Sequence, residues 1–107
     1  MKAVFISFYQ AFYEEVLEVL KKHDIRGFTS WREVYGKGSD TGEPHYGTHA
    51  WPTINDAILS FMPDDKVMPL LKDIHQLDLT APKQGIRAFV LKAEEYTDKN
   101  FENYTES

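Results

Sequence analysis

His45 and His49 stand four residues apart, with Glu43 just before them and Asp40 a little further upstream. Imidazole and carboxylate are ligand types that suit zinc, nickel or copper(II), so His45, His49 and Glu43 form a candidate metal set. Spacing fixes side-chain geometry on a helix but not in a loop, and the two histidines read more simply as solvent-facing or backbone-bonded groups in a polar loop. Gly36, Gly38, Gly42 and Gly47 run through the same stretch, together with Tyr46, Trp51, Pro44 and Pro52. These residues make an excursion of roughly 16 residues between two strand-like runs, far more than a hairpin in a small domain needs, and such loops commonly carry recognition. Trp51 reads as a packing residue at the hinge of this loop or as a docking residue. No nucleophile with an adjacent base, no paired buried carboxylates and no redox cysteine can be assembled from the spacing, so no catalytic residue is assigned and no enzyme is expected.

The elements that must hold this loop follow from hydrophobic periodicity. Residues 2–8 form an apolar run rich in Val, Ile and Phe and are expected to be a first strand. From Gln10 to His23, Phe12, Val16, Val19 and Leu20 recur at helical spacing, with Glu14, Glu15 and Glu18 early and Lys21 and Lys22 late to suit the helix dipole. Asp24 and Gly27 are expected to close this helix, and Gly27 to Tyr35 to form a second strand leading into the loop. Thr53 to Met62 predicts a third strand. A second helix is expected from Pro63-Asp64-Asp65, where an Asp can accept bonds from free amides of the first turn, and carries Val67, Leu70, Leu71 and Ile74 on one face. Pro69 falls early enough to cost about one backbone hydrogen bond. Leu77 to Gly85 reads as a loop and Ile86 to Lys92 as a fourth strand. His23 at a helix end and His75 in the second helix read as a dipole-compatible group and a surface group. The polar tail from Glu94 to Ser107 carries Tyr96, Phe101 and Tyr104 and reads as a docking segment or a frayed end.

At 107 residues the chain suits one domain with a modest core, for which association would add useful burial. Apolar runs such as Ala57 to Met62 are too short to cross a bilayer, and no leader pattern opens the chain, so a cytoplasmic location without membrane insertion is the expectation. The absence of cysteine excludes disulfides and thiolate metal sites. A net charge of −5, with basic residues scattered, argues against a nucleic-acid partner.

The order strand, helix, strand, strand, helix, strand is that of an α+β, ferredoxin-like βαββαβ two-layer sandwich, with both helices on one face of a four-stranded sheet. Yet the strands are apolar on both faces: Val4, Ile6 and Phe8 oppose Phe5, Ile58 and Met62 oppose Leu59 and Phe61, and Ile86 and Val90 oppose Phe89 and Leu91. At about 25 cal/mol per Å², leaving several such side chains in water would forfeit several kcal/mol, which points to burial of the open face between copies of the chain.

The element order, the opening Val34-Tyr-Gly-Lys-Gly-Ser-Asp-Thr-Gly42, the return Trp51-Pro-Thr-Ile54 and the closing strand Gln84-Gly-Ile-Arg-Ala-Phe-Val90 resemble the PII nitrogen regulatory family over about residues 1–95. The resemblance implies a PII-like domain over 1–95 with an effector loop at 36–52, a polar tail over 96–107, and a homotrimer with its sheets facing inward. It implies a sensor that takes a small effector, an adenine nucleotide, between subunits, and docks its loop on a regulated partner such as a transporter or enzyme. Gly36, Gly38 and Gly42 match the family's spaced loop glycines, where bare backbone can approach phosphate. Asp40 falls where signalling members carry a glutamine that helps hold magnesium and 2-oxoglutarate. The glycine-rich turn with its phosphate-binding lysine corresponds to Ala81–Arg87, with Arg87 in the lysine's place, Lys83 and Gly85 beside it and two glycines fewer. The basic pair beyond the last strand has no counterpart, since only Lys92 and Lys99 follow Arg87. The ligand-binding set the resemblance implies is therefore Gly36, Gly38, Asp40, Gly42, Lys83, Gly85 and Arg87. The alternative is a protein of the same architecture that resembles the CutA-like, metal-tolerance branch and holds a divalent transition metal through the loop histidines.

Overall fold

A computed structural model of the chain describes residues 1–37, 44–45, 54–81 and 85–101, with only the backbone of Gly36, Lys37, Pro44 and His45. Alternation dictates the main sheet. In β1 (Lys2–Tyr9) the even residues Val4, Ile6 and Phe8 are fully buried, whereas their odd neighbours face the other side. β1 lies in the middle, antiparallel to β5 (Asn55–Met62) on one side and to β6 (Arg87–Lys92) on the other, with Phe5 opposite both Leu59 and Phe89. β2 (Thr29–Val34) pairs with the outer edge of β5, giving the order β2-β5-β1-β6.

Both helices cover one face. α1 (Tyr13–Lys22) buries Val16 and Leu20, and α2 (Asp64–Asp78) buries Val67, Leu70 and Ile74, against Val4, Ile6, Phe8, Ile58 and Met62. This is the expected ferredoxin-like sandwich. Its other face is open, and there Trp31, Phe61, Phe89 and Leu91 are 45%, 55%, 58% and 61% exposed, with Phe5 and Leu59 half-buried between them. No helix among the described residues is long and apolar enough to cross a membrane.

Local chemistry moves several boundaries from their expected places. The first helix does not begin at Gln10. The Gln10 N–H donates to Ile54 O, which ties the chain to the start of β5, so residues 10–12 form a 3-10 turn before α1. Its C-terminus closes as a Schellman motif, with Asp24 N–H donating to Lys21 O and Ile25 N–H to Leu20 O. Asp24 supplies the left-handed residue, φ 56°, a position where glycine is usual, and the buried Ile25 follows it. In α2 neither Asp64 nor Asp65 caps the helix. Pro63 occupies the cap position, with no side-chain hydrogen bond, and Asp64 instead accepts from the N-terminal ammonium at 3.0 Å. That bond, with help from Lys2 and Lys92, holds the Asp64 carboxyl below the ordinary Asp value. Inside the long excursion the chain is not wholly irregular: β3 (Gly36–Lys37) and β4 (Pro44–His45) form a two-residue antiparallel ladder with Gly36 opposite His45.

Candidate functional site

The long loop leaves the sheet through a bulge. Trp31 pairs with Ala57 and Val34 with Asn55, so Asp56 alone opposes two residues, Arg32 and Glu33. Glu33 adopts φ 62°, a left-handed conformation that costs a non-glycine residue about 1 kcal/mol or more. The Asp56 carboxylate, with no solvent exposure, holds it there by accepting the Glu33 N–H at 2.9 Å and Arg32 Nε–H at 2.7 Å. The Arg32 guanidinium in turn lies 3.8 Å from the ring centre of Tyr13, which anchors the bulge to the start of α1. Beside it, buried Asn55 has an Oδ1 that accepts no hydrogen bond from the described residues.

A second feature lies where α2 ends against the edge strand β6. Here an open cleft of about 440 Å³ is lined by Leu71, Ile74, His75, Asp78, Ile86, Arg87 and Ala88. Its charge is organised by one carboxylate. Asp78 Oδ1 accepts the Ile86 N–H at 2.7 Å, and Oδ2 accepts from Arg87 Nη1 at 3.0 Å. Gly85 leaves room for this arrangement, because a Cβ there would sit 3.0 Å from Arg87 Nη1 and 3.2 Å from its Cζ.

Of the ligand-binding residues expected from the sequence, Gly85 and Arg87 are brought together at this cleft, with the guanidinium committed to Asp78. Gly36 lies in the β3–β4 ladder as an extended strand residue, and no described glycine has positive φ. Among the described residues positive φ occurs at Asp24 and Glu33. Gly38, Asp40, Gly42 and Lys83 lie outside the described residues. In the candidate metal set, His45 falls in β4 and is described by its backbone alone, while Glu43 and His49 lie outside the described residues. Among the described residues no group of three His, Cys, Asp or Glu could hold a metal ion. His23 is half-buried, and its Nε2 meets Asp73 at 2.7 Å; His75 is exposed at the rim of the cleft.

No protein-family model and no curated protein sequence matches the chain. Solved structures do. CPII from Thiomonas intermedia K12, bound to ADP and bicarbonate, superimposes with a TM-score of 0.66 at 20% identity over 88% of each chain. The same nitrogen regulatory PII-like protein bound to ADP, AMP and bicarbonate gives 0.65 at 21% identity and the same coverage. The chain has the PII-like fold. A candidate PII-like signalling protein from Thermus thermophilus shares it at a TM-score of 0.59 and 16% identity, over 84% of this chain and 83% of that one.

Two residues of the PII-like scaffold escaped the sequence reading. Asp78 carries a signal of its own, since a carboxylate in the last turn of a helix opposes the helix dipole and calls for a tertiary partner. Asp56 is a lone acid at the head of the largely apolar run Ala57-Ile-Leu-Ser-Phe-Met62, which calls for a buried donor.

Proposed function

We propose that this chain is a PII-like regulator that assembles as a homotrimer through its open sheet faces, takes an adenine nucleotide in the clefts between copies, and signals through residues 36–52 to a partner protein. The observation that carries the reading is the fold it shares over 88% of its length with CPII, a protein solved with ADP and AMP. The apolar open face supports association, because burying the apolar area that Trp31, Phe61, Phe89 and Leu91 still expose contributes about 25 cal/mol per Å². In this reading 1–95 is the sensing domain, 96–107 is an appended segment, and the role is regulation, not catalysis.

Arg87 is the cation assigned to the nucleotide phosphate, with Gly36, Gly38, Asp40, Gly42, Lys83 and Gly85 around it. Isothermal titration of the intact protein with AMP, ADP and ATP tests this directly. Binding at the stoichiometry of a trimer is expected, and Arg87→Ala should weaken it by about 1.5–3 kcal/mol, the range for hydrogen bonds to charged groups. Failure of all three nucleotides to bind, or an Arg87→Ala variant that binds as well as the parent, overturns the assignment.

A further inference from the structure

We infer that Asp78 occupies the position of a ligand phosphate and thereby makes the cleft at β6 select nucleoside monophosphates and diphosphates over triphosphates; the inference rests on the nucleotide reading above. A phosphate is recognised by backbone N–H groups and guanidinium donors that converge on its oxygens. At this cleft one such pair converges on a carboxylate belonging to the chain itself: the Ile86 N–H reaches Asp78 Oδ1 at 2.7 Å and Arg87 Nη1 reaches Oδ2 at 3.0 Å. Asp78 holds this place against its local electrostatics, because it is the last residue of α2, where the helix dipole disfavours negative charge. Gly85 keeps the arrangement open, since any side chain there would press on the Arg87 guanidinium.

The consequence is a cleft whose cation is already neutralised. Around it the other described lining residues are His75 and the apolar Leu71, Ile74, Ile86 and Ala88, none of which carries a fixed positive charge, while Lys83, assigned above to the same site, lies outside the described residues. An incoming phosphate must share or displace Asp78, and every further negative charge on the ligand adds repulsion from the same carboxylate. Arg87 remains 61% exposed at its side chain, so its outer edge is accessible to a ligand while Nη1 is held.

The test compares AMP, ADP and ATP binding to the parent, Asp78→Asn, Arg87→Ala and the double variant by isothermal titration. Asn keeps an oxygen for the Ile86 N–H but removes the charge. Asp78→Asn is expected to tighten ATP about tenfold or more, ADP less and AMP least, and to lose that gain when Arg87 is also Ala. If Asp78→Asn does not melt cooperatively, Asp78→Ser serves instead: it also removes the charge while keeping a short oxygen, and it should change the ranking of the three nucleotides in the same direction. A parent that binds nucleotides with an Asp78→Asn variant that binds them equally or more weakly overturns the selectivity role and leaves the nucleotide reading standing. No nucleotide bound by the parent or by Asp78→Asn overturns both.

Discussion

Asp56 accepts the backbone N–H of Glu33 at 2.9 Å, and this bond joins a fully buried carboxylate to a left-handed residue shortly before the ladder of the long loop. This hydrogen bond offsets part of both the strain at Glu33 and the desolvation of Asp56, because it gives an acceptor to an amide out of register and a donor to a carboxylate out of water. Arg32 completes the set at 2.7 Å from the same carboxylate.

Two substitutions in this bulge should therefore move stability in opposite directions. Asp56→Ala leaves the Glu33 amide and the Arg32 guanidinium without their acceptor and should destabilise the fold by about 2–4 kcal/mol. Glu33→Gly keeps every bond in the bulge and relieves the left-handed strain, so it should stabilise by about 0.5–1 kcal/mol. Urea unfolding followed by circular dichroism reads both. A stabilised Asp56→Ala or a destabilised Glu33→Gly contradicts this account of the bulge.

Stability should also fall in acid through a bond between the helices. Asp73 on α2 accepts from Lys22 Nζ at 3.0 Å and meets His23 Nε2 at 2.7 Å, and these two contacts hold its carboxyl below the ordinary value of 3.8. A depressed carboxylate contributes stability above its unfolded value and loses that contribution as pH falls through its folded value. Thermal melts taken from roughly pH 5 down to pH 2 should show a loss of stability that Asp73→Asn shares less, because that variant has no proton to take up there. Parallel pH profiles for parent and variant would remove the helix-to-helix bond from the account.

How far the sequence could be read divides along a physical line. β1 is legible because burial on one face and exposure on the other are written into alternate residues, Val4, Ile6 and Phe8 against Phe5, and α1 because Val16 and Leu20 repeat at helical spacing. The same alternation makes the open face legible without its exposure being known. The polar anchors are not legible, since Asp56 meets its partners 23 and 24 residues away and Asp78 meets Ile86 and Arg87 8 and 9 residues away, separations at which no periodicity sets a contact. Capping at α2 departs from expectation for a related reason: the nearest strong donor to Asp64 is the N-terminal ammonium, 63 residues away in sequence.

Assembly should depend on the exposed face of β6. Phe89 and Leu91 are among the most exposed large apolar residues of the sheet, and each lies opposite a residue of β1, Phe5 and Ala3 respectively. Charging both positions, in a Phe89→Asp, Leu91→Asp variant, places two carboxylates where a neighbouring copy would have to desolvate them and should yield a monomer. Sedimentation equilibrium at micromolar concentration should find a trimer for the parent and a folded monomer for the variant. A parent that sediments as a monomer removes the physical support for clefts between copies.

The last expectation concerns the loop itself and separates the two ligand classes read from the sequence. Under the nucleotide reading, ADP contacts the base of residues 36–52 and should slow amide exchange there, whereas zinc, nickel and copper(II) should leave that exchange unchanged. The metal alternative predicts the reverse through His45, His49 and Glu43. Imidazole binds metal only when neutral, so that protection would be present at about pH 7.5, would fade as pH falls through the imidazole range near 6.5, and would be lost in a His45→Ala, His49→Ala variant. Hydrogen exchange with mass spectrometry, run with ADP and with each metal at both ends of that range, distinguishes them. Metal-dependent protection that disappears in acid and in the double variant would replace the nucleotide by a transition metal as the effector of the loop.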